Sequence, residues 1–159
     1  MRLRSAAKLS PYELVSKTSA MTPASQMALA AALKNLRGRD RFQEEVRATC
    51  IDAGCEDEAI EQALEYLRQK RIIDDVRLTR NEAARLARRK LWPRARISAV
   101  LEARGAPPEA IETALDTLPT EAAIAVLWAK KFKGDKLRLG TRLRAAGFDE
   151  DAVEEVVNQ

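Results

Sequence analysis

The sequence predicts an all-α protein, an elongated, curved array of three tandem three-helix repeats, on three observations. Ala, Leu, Glu and Arg dominate while aromatic residues make up 4% of the chain, a composition that favours helices. No run alternates apolar and polar residues with period two, as a half-buried strand would. The third observation is a five-position frame that occurs three times. It reads Ile97, Leu101, Gly105, Ile111, Leu115 in the middle of the chain. Upstream it reads Val46, Cys50, Gly54, Ile60, Leu64, and downstream Leu139, Leu143, Gly147, Val153, Val157. In each copy the glycine follows two anchors by eight and four residues and precedes two more by six and ten. Eight-and-four spacing sets both anchors on one helical face, and a glycine after the last apolar turn supplies the left-handed residue that closes a helix. The glycines lie 51 and 42 positions apart, within the range of helical repeat units.

Taken in order, residues 1–22 carry Arg2, Arg4, Lys8 and Lys17 against Glu13 and are expected to form a mobile basic tail. The first repeat spans 23–70. Thr22 and Pro23 read as N-cap and first residue of a helix to about Leu36, with Leu29, Leu33 and Leu36 on one side. Asp40 with Gln43 resembles a capping box before the helix of Val46 and Cys50. Glu56, Asp57 and Glu58 start the third helix, whose apolar side is Ile60, Ala63, Leu64 and Leu67. In the second repeat, 71–117, Asp74 caps a helix to about Lys90. At 100° per residue Val76, Ala83, Leu86 and Ala87 share a face, opposite Arg77, Asn81, Arg85 and Arg88. Leu78 fits neither stripe. Pro93 and Pro107-Pro108 begin the next two helices. The third repeat, 118–159, opens with Pro119-Thr120 as a cap and is expected to bury Ile124, Leu127 and Trp128. Gly134-Asp135 turn the chain, and Gly140 falls inside a helix, where a close helix crossing would explain it. The last helix runs from Asp149 to Val157.

The composition also narrows the function classes. Without histidine, the commonest general base is missing, and no Gly-rich phosphate loop or nucleophile motif occurs. Asp74-Asp75 is the one carboxylate pair that stands out, and its simplest reading is a helix start. A zinc site is not expected, and Cys50, at an anchor position, reads as a small core residue. The expected protein is thus not an enzyme and has no cofactor. No apolar run approaches the roughly 20 residues that cross a bilayer, so no membrane association is expected. The N-terminal stretch lacks an apolar signal-peptide core, so a cytoplasmic address is expected.

The middle of the chain resembles a known family. Leu67, Ile73, Asp74 and Asp75, then Pro93, Ile97, Leu101 and Gly105, resemble the L-then-I-D-D approach and the P-x-x-x-I-x-x-x-L-x-x-x-G run of the RecX family, regulators of the recombinase RecA. Glu45-Val46, Lys130-Lys131-Phe132 and Leu143 followed by Gly147-Phe148 extend the resemblance over about residues 26–158. Leu78 stands where the family tends to have Phe, and Trp92 where a Gly often precedes the Pro. The resemblance implies a cytosolic protein, itself not catalytic, lodged in the helical groove of a RecA filament on DNA. There it would modulate, usually inhibit, ATP hydrolysis and strand exchange.

Charge gives a compatible reading. From Arg68 to Arg104 there are twelve basic and four acidic residues, between more acidic flanks. A basic strip on a stack of helices could meet filament acids or DNA phosphate, or it could be an ordinary solvated helix face. The candidate contact residues are Arg77, Arg80, Arg85, Arg88, Arg89, Lys90, Arg94 and Arg96. Any DNA contact is expected to be sequence-independent, and possibly to single strands, since no base-reading helix is evident. Trp92 and Trp128 could stack on bases, but packing is the favoured role for both. The protein is expected to be monomeric. Two alternatives stay open: a DNA-binding helical protein without a recombinase partner, and a repeat scaffold that docks another protein's helix.

Overall fold

The computed structural model describes residues 21–159, so the expected tail lies outside the described residues except for Met21 and Thr22. Among the described residues all regular structure is helical. The helices are α1 (Pro23–Asn35), α2 (Gln43–Asp52), α3 (Asp57–Gln69), α4 (Asp75–Arg85), α5 (Arg94–Ala103), α6 (Pro108–Asp116), α7 (Glu121–Ala129), α8 (Lys136–Ala146) and α9 (Glu150–Val157). A π-helical turn, Leu86–Lys90, continues α4.

The five-position frame has a hydrogen-bonding cause. Gly54, Gly105 and Gly147 have φ of 80°, 86° and 95°, a region that favours residues without a Cβ. The residue after each glycine donates its N–H to the carbonyl of the second anchor: Cys55 to Cys50 at 3.1 Å, Ala106 to Leu101 at 3.0 Å, Phe148 to Leu143 at 3.2 Å. This closes each helix as a Schellman motif, and its usual apolar contact makes the second anchor a constrained position. The first anchors, Val46, Ile97 and Leu139, donate in turn to the N-cap carbonyls of Phe42, Pro93 and Asp135. Nine of the twelve anchors are buried and Leu115, Leu139 and Val157 are half-buried, so the frame marks core positions.

The chain divides into two compact units, one ending at Asp74 and one beginning at Asp75. In the first, α1 packs on α2 and α3 around Leu29, Leu33, Val46, Cys50, Ile60, Leu64 and Leu67. Thr22 caps α1 by accepting from the Ser25 amide at 3.2 Å. The helix starts two residues later than the expected Asp40–Gln43 box would place it. Phe42 is instead the N-cap residue of α2, and its amide donates to Glu45 Oε2 at 2.9 Å, because the fully buried Phe42 ring fixes the entry of the chain.

In the second unit α4 packs on α6, and α9 on α7 and α8. The inner side of α4 and its π turn is Leu78, Thr79, Ala83, Leu86 and Ala87, with the Thr79 hydroxyl donating to the Asp75 carbonyl at 2.6 Å. Val76, placed on that face by periodicity, is 63% exposed in the first turn, and Leu78 is buried in its stead. Leu127 likewise departs from expectation. At 45% exposure it leaves the core of α7 to Ile124 and Ala125, while Trp128 is half-buried. Gly140 is buried where α8 meets α9, and a Cβ there would stand 3.4 Å from Val157 Cγ2, the close crossing that its mid-helix position suggested.

Candidate functional site

Helix α4 carries Arg77, Arg80 and Arg85; the π turn carries Arg88, Arg89 and Lys90; α5 begins with Arg94 and also holds Arg96. Their environments differ. Arg85 Nη2 donates to Glu82 Oε2 at 2.9 Å, and Arg104 Nη1 reaches the same oxygen at 3.1 Å. The Arg85 hydrogen bond, more than any other contact, holds the Glu82 carboxyl below its ordinary range and raises the Arg85 guanidinium. Arg94 is half-buried, its Nη2 donating to the carbonyls of Leu115 at 2.6 Å and Leu118 at 3.4 Å. Arg96 stacks on Trp92 with its guanidinium carbon 4.0 Å from the ring centroid. Arg77 is half-buried. Arg80, Arg88, Arg89 and Lys90 are exposed, and none makes an ion pair among the described residues.

The π turn ends at Leu91, whose φ of 54° is unusual for a bulky residue. Such turns and left-handed residues recur at functional sites. Lys90 and the buried Leu91 line a hollow of about 200 Å³ with Trp128, Lys131 and Phe132. A second hollow, about 530 Å³, also has Phe132 in its lining, together with Lys133, Leu137, Arg138, Thr141 and Arg142. Phe132 stacks on Trp128 with ring centroids 5.9 Å apart and planes 18° apart, and Trp128 meets Phe148 edge-on at 6.4 Å. Gly134 makes room for this arrangement. A Cβ at that position would lie 2.5 Å from Phe132 Cε1.

Set against solved structures, the helices match those of RecX from Lactobacillus salivarius with a TM-score of 0.75 at 18% identity. That match covers 85% of this chain and 95% of the other. A second crystal structure, described as the regulatory protein RecX, matches with a TM-score of 0.73 at 19% identity over 99% of this chain and 82% of that one. The chain has the RecX fold. No protein-family model matches the sequence, and no curated protein sequence does.

Within this RecX fold, the predicted cations are carried by α4, the π turn and the start of α5, and Arg85 and Arg94 have internal partners. Its hollows are also lined by residues absent from the expected contact set: Lys131, Phe132, Lys133, Arg138 and Arg142. Their signal was present, since Lys130 to Arg144 holds seven basic residues and one acid. Averaging over 105–159 hid it, because α9 and its cap contribute five acids.

Proposed function

We propose that the protein regulates a RecA recombinase, binding in the helical groove of the RecA–DNA filament and inhibiting ATP hydrolysis and strand exchange. The observation that carries this reading is the fold likeness to RecX over 85% and 99% of the chain, one of the two structures being described as a regulatory protein. In this reading the three helical triplets, 23–70, 71–117 and 118–159, act as successive contact units. Arg80, Arg88, Arg89 and Lys90 offer positive charge to filament acids or DNA phosphate, and this speeds encounter. The protein acts as a cytoplasmic monomer without catalysis of its own. Among the described residues no helix is long and apolar enough to cross a membrane.

The experiment is ATP hydrolysis by RecA on single-stranded DNA, titrated with this protein. A saturable fall in rate supports the proposal. An unchanged rate at stoichiometric excess would overturn it in favour of a scaffold for another protein. A fall reproduced by any basic protein and abolished log-linearly by salt would point to DNA binding alone.

A further inference from the structure

We propose that the two hollows meeting at Phe132 form a binding site for single-stranded nucleic acid, with a base on the Phe132 ring and phosphates on the cations of both hollows. This site shares Lys90 with the cations proposed to meet the filament and otherwise uses different residues, and its binding would not require a recombinase.

The argument begins with charge. Lys90 and Lys131 line one hollow and Lys133, Arg138 and Arg142 the other, while no acidic residue lines either. Asp135 is the nearest acid in sequence. It pairs with Arg138 at 3.7 Å, with both side chains mostly exposed, a contact that phosphate and salt can compete for. The surface therefore selects an anionic partner. The aromatic ring shared by the hollows then distinguishes among anions. Phe132 is half-buried, kept in place by its stack on Trp128 and by the missing side chain at Gly134. Two cation-lined hollows that share one aromatic ring suit the phosphates and a base of one strand, because every base has a face that stacks on an aromatic side chain. An acidic peptide would satisfy the charges and leave the ring unused. A duplex would keep its bases stacked within itself and away from Phe132. Leu137, 82% exposed in the wall of the larger hollow, adds an apolar contact for sugar or base.

Gly134 is a positioning residue in this arrangement. With Ala at 134, the added Cβ would lie 2.5 Å from Phe132 Cε1, so the ring must shift from its observed position.

The test uses the full chain without recombinase and a labelled oligo-dT of roughly 15 nucleotides, followed by fluorescence anisotropy at several salt concentrations. Phe132→Leu is expected to weaken binding about five-fold or more, and Phe132→Tyr to restore it. Gly134→Ala should weaken binding in the native chain and add little in the Phe132→Leu background. Replacing Lys131, Lys133 and Arg142 together by Gln should make the slope of log affinity on log salt shallower by about 2. These three side chains are exposed, so that variant decides the matter even if Phe132→Leu loses helicity. Wild-type affinity in a helical Phe132→Leu protein would overturn the proposal. So would equal, Phe132-independent binding of duplex, or displacement of the oligonucleotide by polyglutamate with the same Phe132 dependence, which would assign the surface to an acidic protein. Inhibition of RecA hydrolysis is measured separately, so either proposal can fail alone.

Discussion

The backbone N–H of Arg94, the first residue of α5, donates to Glu121 Oε2 at 3.0 Å, tying α5 to the first residue of α7 across 27 positions. Burial is the largest influence on the Glu121 carboxyl and raises it above the ordinary value, outweighing the Arg94 amide; the nearby Asp149 charge adds to the rise. An acid whose folded-state pKa is raised binds its proton more tightly when folded. Its contribution to stability therefore grows as pH falls through the raised value and is complete below the unfolded value of about 4.5. Glu121→Gln keeps an oxygen for the Arg94 amide and removes the charge. At neutral pH it is expected to melt at or slightly above the wild-type temperature, with the difference vanishing as the pH is lowered. Melting curves of both proteins between pH 4 and 7 check this, and a variant that is less stable throughout would show that the charge itself is needed.

Glu82 should behave oppositely. It accepts from Arg85 and Arg104, and its carboxyl is held low chiefly by the Arg85 hydrogen bond, so its stabilising share is present above the ordinary carboxylate value. That share is lost as pH falls through the depressed one. The carboxylate is only 19% exposed and serves two guanidinium groups, yet Arg85 itself is exposed, which limits the gain. Glu82→Gln is expected to cost about 1 kcal/mol at pH 7, or roughly 3 °C in Tm. Repeating the thermal scan well below the ordinary carboxylate range should bring the two proteins together.

Two glycines in helical surroundings should respond to alanine with opposite signs. Gly105 closes α5 at φ 86°, where an L side chain costs about 1–2 kcal/mol, so Gly105→Ala is expected to be destabilising by that amount. Gly140 has helical backbone. An added Cβ would meet Arg144 Nη1 at 3.3 Å and Val157 Cγ2 at 3.4 Å. The arginine tip is flexible and the Val157 distance is an ordinary van der Waals contact, so the roughly 1 kcal/mol gain in helix propensity is not lost to a clash. Gly140→Ala should be neutral to mildly stabilising in denaturant titrations, whereas Gly140→Leu should lower the midpoint through a clash with α9.

The legibility of the fold came from backbone hydrogen bonding. Glycine, the preceding anchor and the N-cap residue are fixed by the same closing motif in three places, so spacing alone placed Cys50, Leu101 and Leu143 in the core. Val76 is exposed against expectation, and Phe42 is buried without a signal in the spacing, because both depend on how the chain enters a helix, which periodicity does not encode. The π turn had the larger consequence for the site. A wider turn advances less per residue, so the 100° phase that aligned Arg88 with Arg77 and Arg85 does not carry past Leu86. Nor could spacing reveal that Arg104 joins Arg85 on Glu82, that the carbonyls of Leu115 and Leu118 hold Arg94, or that Lys90 shares a hollow with Trp128 and Phe132. Those are contacts between helices distant in sequence.

These environments sharpen the charge test of the proposed filament contact. Arg80, Arg88 and Arg89 are exposed and unpaired among the described residues, so reversing them to Glu should leave helicity and Tm near wild type while changing the local charge by six. Arg85 and Arg94 are the contrasting pair. Neutralising Arg94 removes a side-chain donor from the Leu118 carbonyl and from that of Leu115, which keeps the Leu118 amide, and should lower stability by roughly 1 kcal/mol before any effect on a partner can be read. If the α4–π turn surface meets the filament, the Arg80/Arg88/Arg89 triple reversal raises the concentration needed for half-inhibition of RecA ATP hydrolysis by about tenfold or more, and the defect shrinks at high salt. A triple variant that folds and inhibits as the wild type does would remove this face from the contact.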